Sequence, residues 1–136
     1  ANTIDLSAQT TNQIIHGLGG NDTIIGGSGD DTITGGGGAD IFAFSHGDVM
    51  GNDVIADFNV ADGDKLDLNQ LLFGEPNTDN LAEYISVRAT GGNAVLTIDR
   101  DTAAGGDNYA NTITLTGLGG DYATLDDLIT ADVFIL

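Results

Sequence analysis

No cysteine occurs among the 136 residues, which excludes disulfides, thiol chemistry and thiolate-bound zinc. Tryptophan is absent as well, and proline is reduced to Pro76. Basic residues are scarce: three Lys and Arg face 21 Asp and Glu, a net charge of −18. That balance argues against nucleic-acid binding, which needs a basic patch, and against adsorption to anionic membranes. No run is long or apolar enough to span a bilayer. No secretory signal opens the chain, which starts at Ala1 and reads as a piece of something larger. Catalytic patterns are missing too. There is no HExxH motif and no nucleophile elbow, and His16 and His46 are the only histidines. The chain is therefore expected not to be an enzyme.

What the sequence has in quantity is glycine, 21 residues of it, and aspartate. Among the acids only Glu75 and Glu83 are glutamate. Generic acidic helices would use Glu, the better helix former, so the bias points to turns. The two types meet in one stretch, residues 17–42: GLGGNDTII, GGSGDDTIT, GGGGADIF. Read in nines, it is one unit repeated. Asp22, Asp31 and Asp40 hold the sixth position; Ile24, Ile33 and Phe42 hold the eighth. Leu18 stands where the other units have a second glycine.

Glycine reaches positive φ at little cost, so such a segment can curl and aim several carbonyls at one point. The closing Asp adds a carboxylate, and calcium takes six to eight oxygens of these kinds. The β-branched residues after each Asp read as a very short strand with its middle residue inward. Turn plus strand is half a coil. Two units close one coil, so the turn of Asp22 is expected over the turn of Asp40, with a calcium ion between them. A flexible Gly/Asp linker is the bland alternative, but a linker has no reason to keep apolar residues in phase with Asp.

Before the repeat, Thr3 to Leu6 suits a strand, and NQIIH at 12–16 looks like a degenerate unit with Gln13 at the Asp position. His16 points outward as a surface residue. After Phe42 the period breaks at an insertion, 43–50, carrying His46 and Asp48. GNDVIADF at 51–58 restores the phase, and Asp53 and Asp57 are the natural partners for the turn of Asp31. Lys65 to Leu68 alternates like a strand, with Asp64 and Asp67 as the charges nearest Lys65, and Asn69 to Leu72 suits the start of a helix. YISVRAT and AVLTIDR flank a GGN turn as a hairpin, and NTITLTGL gives a third strand. Asp99, Asp101 and Asp107 form a weaker candidate cation loop. Thr124 and Asp127 suit the cap of a short helix from Leu125 to Ile129. The apolar tail, Val133 to Leu136, either packs as a last strand or is read before folding.

Together the nonapeptides, GNDVIADF, GDKLDL and the apolar end resemble the C-terminal module of RTX proteins, which leave Gram-negative bacteria by type I secretion. The resemblance covers roughly residues 12–136; the nonapeptides are specific, and the part after residue 73 matches in pattern only. It implies an all-β fold: a short calcium-binding parallel β-roll (12–58, with its closing segment) continued by an antiparallel β-rich cap (59–136) that carries the secretion signal. It implies one ion held by the Leu18, Gly20, Gly35 and Gly37 carbonyls with Asp22 and Asp40. A second would use the Gly27 and Gly29 carbonyls with Asp31, closed by Asp53 and Asp57. The expected partners are calcium ions and, transiently, the secretion machinery, for a monomer folding outside the cell as the end of a large adhesin. The alternative is an adhesive surface for ice or sugar, on a polar face of Thr23, Thr32 and Thr34. The C-terminal part of an RTX protease or lipase is a further reading.

Overall fold

The computed structural model describes residues 1–45, 51–72, 76–99 and 111–136. Eleven strands are ordered along these residues: β1 Thr3–Asp5, β2 Ile14–His16, β3 Thr23–Ile25, β4 Thr32–Thr34, β5 Ile41–Ser45, β6 Asn52–Ile55, β7 Lys65–Gln70, β8 Ile85–Thr90, β9 Asn93–Ile98, β10 Asn111–Leu115 and β11 Phe134–Ile135. One helix, α1 Leu125–Thr130, precedes the last strand. The fold is all-β, a parallel β-roll continued by a β-rich cap.

Strands of three residues with a buried centre follow from the repeat. Each needs only one apolar residue to reach the interior, and Ile24, Ile33 and Phe42 do so with 0%, 1% and 0% of their surface exposed. Successive strands fall in opposite sheets, as a coil of two half-turns requires. One sheet has the order β1-β3-β5-β7-β11; the other runs β2-β4-β6-β10-β9-β8. Within a sheet the repeat strands pair in parallel: Ile24 lies against Ile4 and Phe42, and Ile33 against Ile15 and Ile55. Their side chains join Leu66, Leu96, Ile113, Leu128 and Val133 in one core between the sheets.

The cap grows out of both sheets. β7 adds to β5 in parallel, and β11 adds to β7, so the apolar tail is the last strand. In the other sheet β10, not the earlier β8, sits beside β6, and β9 and β8 follow in antiparallel register. Residues 69–70 extend β7 and start no helix, because Leu66 and Leu68 continue the period-two burial. α1 carries a full capping box between Thr124 and Asp127. Lys65 does not pair with Asp64 or Asp67. Its ammonium binds the Asp132 carboxylate at 2.7 Å and the Asp132 carbonyl, because parallel pairing of β11 brings that residue to the start of β7.

The alternation of sheets also divides the three threonines expected on one face. Thr23 lies in the sheet of β3, whereas Thr32 and Thr34 lie in the sheet of β4. His46, Asp48, Asp101 and Asp107 lie outside the described residues.

Candidate metal centre

Glycine turns stack along both edges of the roll. The first edge carries residues 17–22, then 35–40, then the turn 56–64, whose one glycine is Gly63. The second carries loop 6–13, then turn 26–31, then the chain entering β6. The turns fit this closely only because side chains are missing. A Cβ on Gly36, where φ is 102°, would run into the Leu18 carbonyl, and one on Gly38 would run into the Gly20 carbonyl. Leu18 itself adopts φ 78° and leaves its side chain 82% exposed, which is how a leucine sits at a glycine position.

Every Asp that closes a turn is inside. Asp22, Asp31, Asp40 and Asp53 expose 1%, 1%, 0% and 2% of their surface. One carboxylate oxygen of each reaches back one coil to a backbone N–H. Oδ1 of Asp40 accepts from Asp22 N at 2.8 Å, and Oδ1 of Asp53 accepts from Asp31 N at 2.9 Å. Asp22 and Asp31 accept likewise from Asn2 N at 2.6 Å and Gln13 N at 2.7 Å. The other oxygen, Oδ2, of Asp22, Asp31 and Asp40 is buried with no hydrogen-bond partner. A buried carboxylate oxygen left unpaired is strongly unfavourable, so each of these atoms calls for a cation. Oxygen donors around a side-chain-free cradle are the donor set of calcium, and the residues fit that ion.

The first expected ligand set converges on one edge. Gly20 N donates to the Gly37 carbonyl at 2.7 Å, Gly37 N donates to the Leu18 carbonyl at 3.2 Å, and the Gly35 carbonyl lies against Gly17. Asp22 and Asp40 close the two turns. On the second edge Gly27, Gly29 and Asp31 form one turn. The Gly29 carbonyl abuts Gly51, and Asp53 takes the Asp31 N–H.

Asp57 lies elsewhere. It was expected beside Asp31, but it sits on the first edge, accepting from Gly35 N at 2.9 Å and Gly36 N at 2.8 Å. The reason is topological: Asp53 precedes β6 and Asp57 follows it, so the strand carries them to opposite edges. Asp64 is the residue that sequence reasoning missed. It accepts from Asp40 N and Asn59 N, at 2.9 and 2.8 Å, and is 4% exposed. A signal for it exists: Asp64 stands two residues before the buried Leu66, as Asp22, Asp31 and Asp40 stand before Ile24, Ile33 and Phe42.

Burial pushes the Asp53 carboxyl up to about 7, against the stabilising Asp31 N–H and with the neighbouring Asp31 and Asp30 carboxylates adding to the rise. Burial also raises Asp31, opposed by the Gln13 N–H, and raises Asp64, where Asp40 and Asp57 add repulsion. Without a cation, then, several of these groups resist ionisation.

Known proteins point the same way. A family model for the RTX calcium-binding nonapeptide repeat, in four copies, matches residues 8–42. No curated protein matches the chain. The fold resembles the solution structure of the AlgE6R3 subunit from the Azotobacter vinelandii mannuronan C5-epimerase, with a TM-score of 0.60 over 98% of this chain and 78% of that one. Identity is 22%, so the likeness is one of fold. Residues 8–42 therefore carry RTX calcium-binding nonapeptide repeats, wound here as a parallel β-roll whose turn carboxylates are buried.

Proposed function

We propose that the chain is a non-catalytic RTX module that folds on calcium after export and carries the type I secretion signal of a larger secreted or surface protein. The observation behind this reading is the set of buried, unpartnered Oδ2 atoms of Asp22, Asp31 and Asp40 in a chain of net charge −18. Leu18, Gly20, Gly35 and Gly37 carbonyls with Asp22 and Asp40 would hold one ion. Gly27 and Gly29 carbonyls with Asp31 and Asp53 would hold a second. When bound, calcium neutralises the turn carboxylates and draws stacked turns together.

Without it the turns repel and have little apolar area, so the repeats stay open. Binding free energy becomes folding free energy. Extracellular modules bind calcium with Kd of about 10⁻⁴ to 10⁻³ M. Millimolar calcium, about 1 to 10 times such a Kd, stabilises a fold by about 0.4 to 1.4 kcal/mol per site. Two such sites contribute about 1 to 3 kcal/mol, a sizeable share of a typical domain's stability, about 5 to 15 kcal/mol. At low cytosolic calcium the stabilisation vanishes and the chain stays export-competent.

β11 pairs with β7 and the folded module buries Val133 and Leu128 completely, so a signal in this segment would be accessible only before folding. Residues 1–136 would form one module, with 12–58 as roll and 59–136 as cap. Deleting the last residues tests the signal. Lost export with intact calcium-dependent folding is expected; unchanged export removes that role. The A. vinelandii neighbour is a subunit of an epimerase, which supports a module of this fold serving as part of a larger protein.

A further inference from the structure

The fifth residue of each nonapeptide, the one before the Asp, carries no assigned role. It is Asn21, Asp30 and Ala39 in the three units, and Asn12 in the degenerate one. Asn12, Asn21 and Asp30 are all exposed, as free surface residues would be. Yet each accepts a hydrogen bond from the next coil. Asn12 Oδ1 takes Asp30 N at 3.1 Å, Asn21 Oδ1 takes Ala39 N at 3.1 Å, and Asp30 Oδ1 takes Asn52 N at 2.8 Å.

These bonds run opposite to those of the buried Asp. Asp22 N donates forward to Asp40 while Asn21 accepts from Ala39, so both directions cross one junction. Gln13 with Asp31 and Asn12 with Asp30 repeat the arrangement on the second edge, as do Asp31 with Asp53 and Asp30 with Asn52. Each such junction is stitched from both sides. The junction that follows Ala39, which has no acceptor, is made instead by Asp57 and Asp64.

We propose that the fifth-position side chain is a positioning residue for calcium: its oxygen fixes the spacing of two stacked turns, and its charge tunes the ion's affinity. The inference rests on the calcium reading of these turns. The bond joins the same two turns that the ion would bridge, so it adds to the folding that calcium drives and holds the folded cradle at one spacing. Asn and Asp supply the same acceptor oxygen, but Asp adds a negative charge one residue from the ligand carboxylate. Calcium sites are tuned by their charge count, so the second edge, with Asp30, binds more tightly than the first, with Asn21.

Three variants separate the two roles: Asn21→Ala, Asn21→Asp and Asp30→Asn. Calcium titrations followed by NMR give a midpoint for each edge, and exchange of the Ala39 amide in saturating calcium reports the bond itself. Asn21→Ala raises the first-edge midpoint about three- to fivefold, the size of one ordinary hydrogen bond, and speeds Ala39 exchange. Asn21→Asp restores Ala39 protection and lowers that midpoint below that of the unaltered protein, a gain that shrinks at 1 M salt. Asp30→Asn keeps its bond and raises only the second-edge midpoint. If the unaltered protein binds calcium and Asn21→Ala leaves both midpoint and exchange unchanged, the positioning role is wrong. If Asn21→Asp fails to rescue, the oxygen is not what matters. If the unaltered protein binds no calcium, the functional reading beneath it falls instead.

Discussion

Two junctions on the first edge of the roll use the same turn, residues 35–40, and are built in opposite ways. Toward residues 17–22 the contact is glycine on glycine, with the Leu18 and Gly37 carbonyls accepting N–H groups across it and the Oδ2 atoms of Asp22 and Asp40 unpaired. Toward residues 56–64 the contact is carboxylate on amide: Asp57 and Asp64 each accept two backbone N–H groups. The first junction is incomplete without a cation. The second is satisfied by the chain alone. One turn therefore joins an ion-dependent repeat to an ion-independent cap, and the nonapeptide pattern ends where protein carboxylates replace the need for metal.

The largest effect comes from closing the glycine cradle. Gly36→Ala sets a Cβ against the Leu18 carbonyl at φ 102°, and is expected to cost at least about 3 kcal/mol and abolish calcium-induced folding by circular dichroism. Gly63→Ala on the cap side, at φ 95° but with only the Ala39 Cβ at 3.3 Å, should cost the left-handed backbone penalty alone, about 1–2 kcal/mol. Equal costs would mean that the cradle is not special.

Removing one carboxylate from each junction sharpens the contrast. Asp40→Asn keeps an acceptor for Asp22 N but removes a charged ligand, and should raise the calcium midpoint about tenfold or more. Asp57→Asn leaves one of two N–H groups unpaired and should lower stability in saturating calcium by about 1–3 kcal/mol with the number of bound ions unchanged. Calcium and denaturant titrations measure this difference.

Acid should act on the two states in opposite directions. The Asp53 carboxyl lies at about 7 in the folded chain against an ordinary 3.8. Its raised value gives a contribution present below the ordinary value and lost as pH rises through 7. The calcium-free chain therefore gains order as pH falls from 8 to 5. Calcium requires the ionised group, so its midpoint rises over the same range, by up to about a hundredfold at pH 5. Parallel pH dependences of the two states would contradict the assignment of Asp53.

The smallest effect is expected at Leu18. Leu18→Gly relieves a positive φ worth about 1–2 kcal/mol and adds a backbone entropy cost of roughly 0.5–1, so thermal stability in calcium should rise slightly.

The repeat was legible because its period fixes everything at once. Asp every ninth residue, with an apolar residue two later, sets the coil, the sheet alternation and the stacking of Asp22 on Asp40. The hairpin of β8 and β9, the capped α1 and the tail strand β11 also follow local rules. What stayed hidden depended on where an insertion lands. Asp57 was set beside Asp31 because the two are close in phase, yet β6 carries it across the roll. Asp64 escaped notice because its turn has no glycine pair, although it obeys the same spacing before Leu66. The neighbour of β6 is β10 rather than β8, a choice made by packing of both sheets on one core and invisible to strand patterns. The single face of Thr23, Thr32 and Thr34 failed for a simpler reason: consecutive half-coils cannot share a sheet.

The central claim is that calcium completes a fold the chain cannot finish alone. Amide hydrogen exchange with and without calcium tests it residue by residue. The account predicts that in chelator the amides of residues 17–42 exchange as in an open chain, and that millimolar calcium protects them together, including Asp22 N and Asp31 N. Full protection of those amides in chelator, with no change on adding calcium, would contradict it.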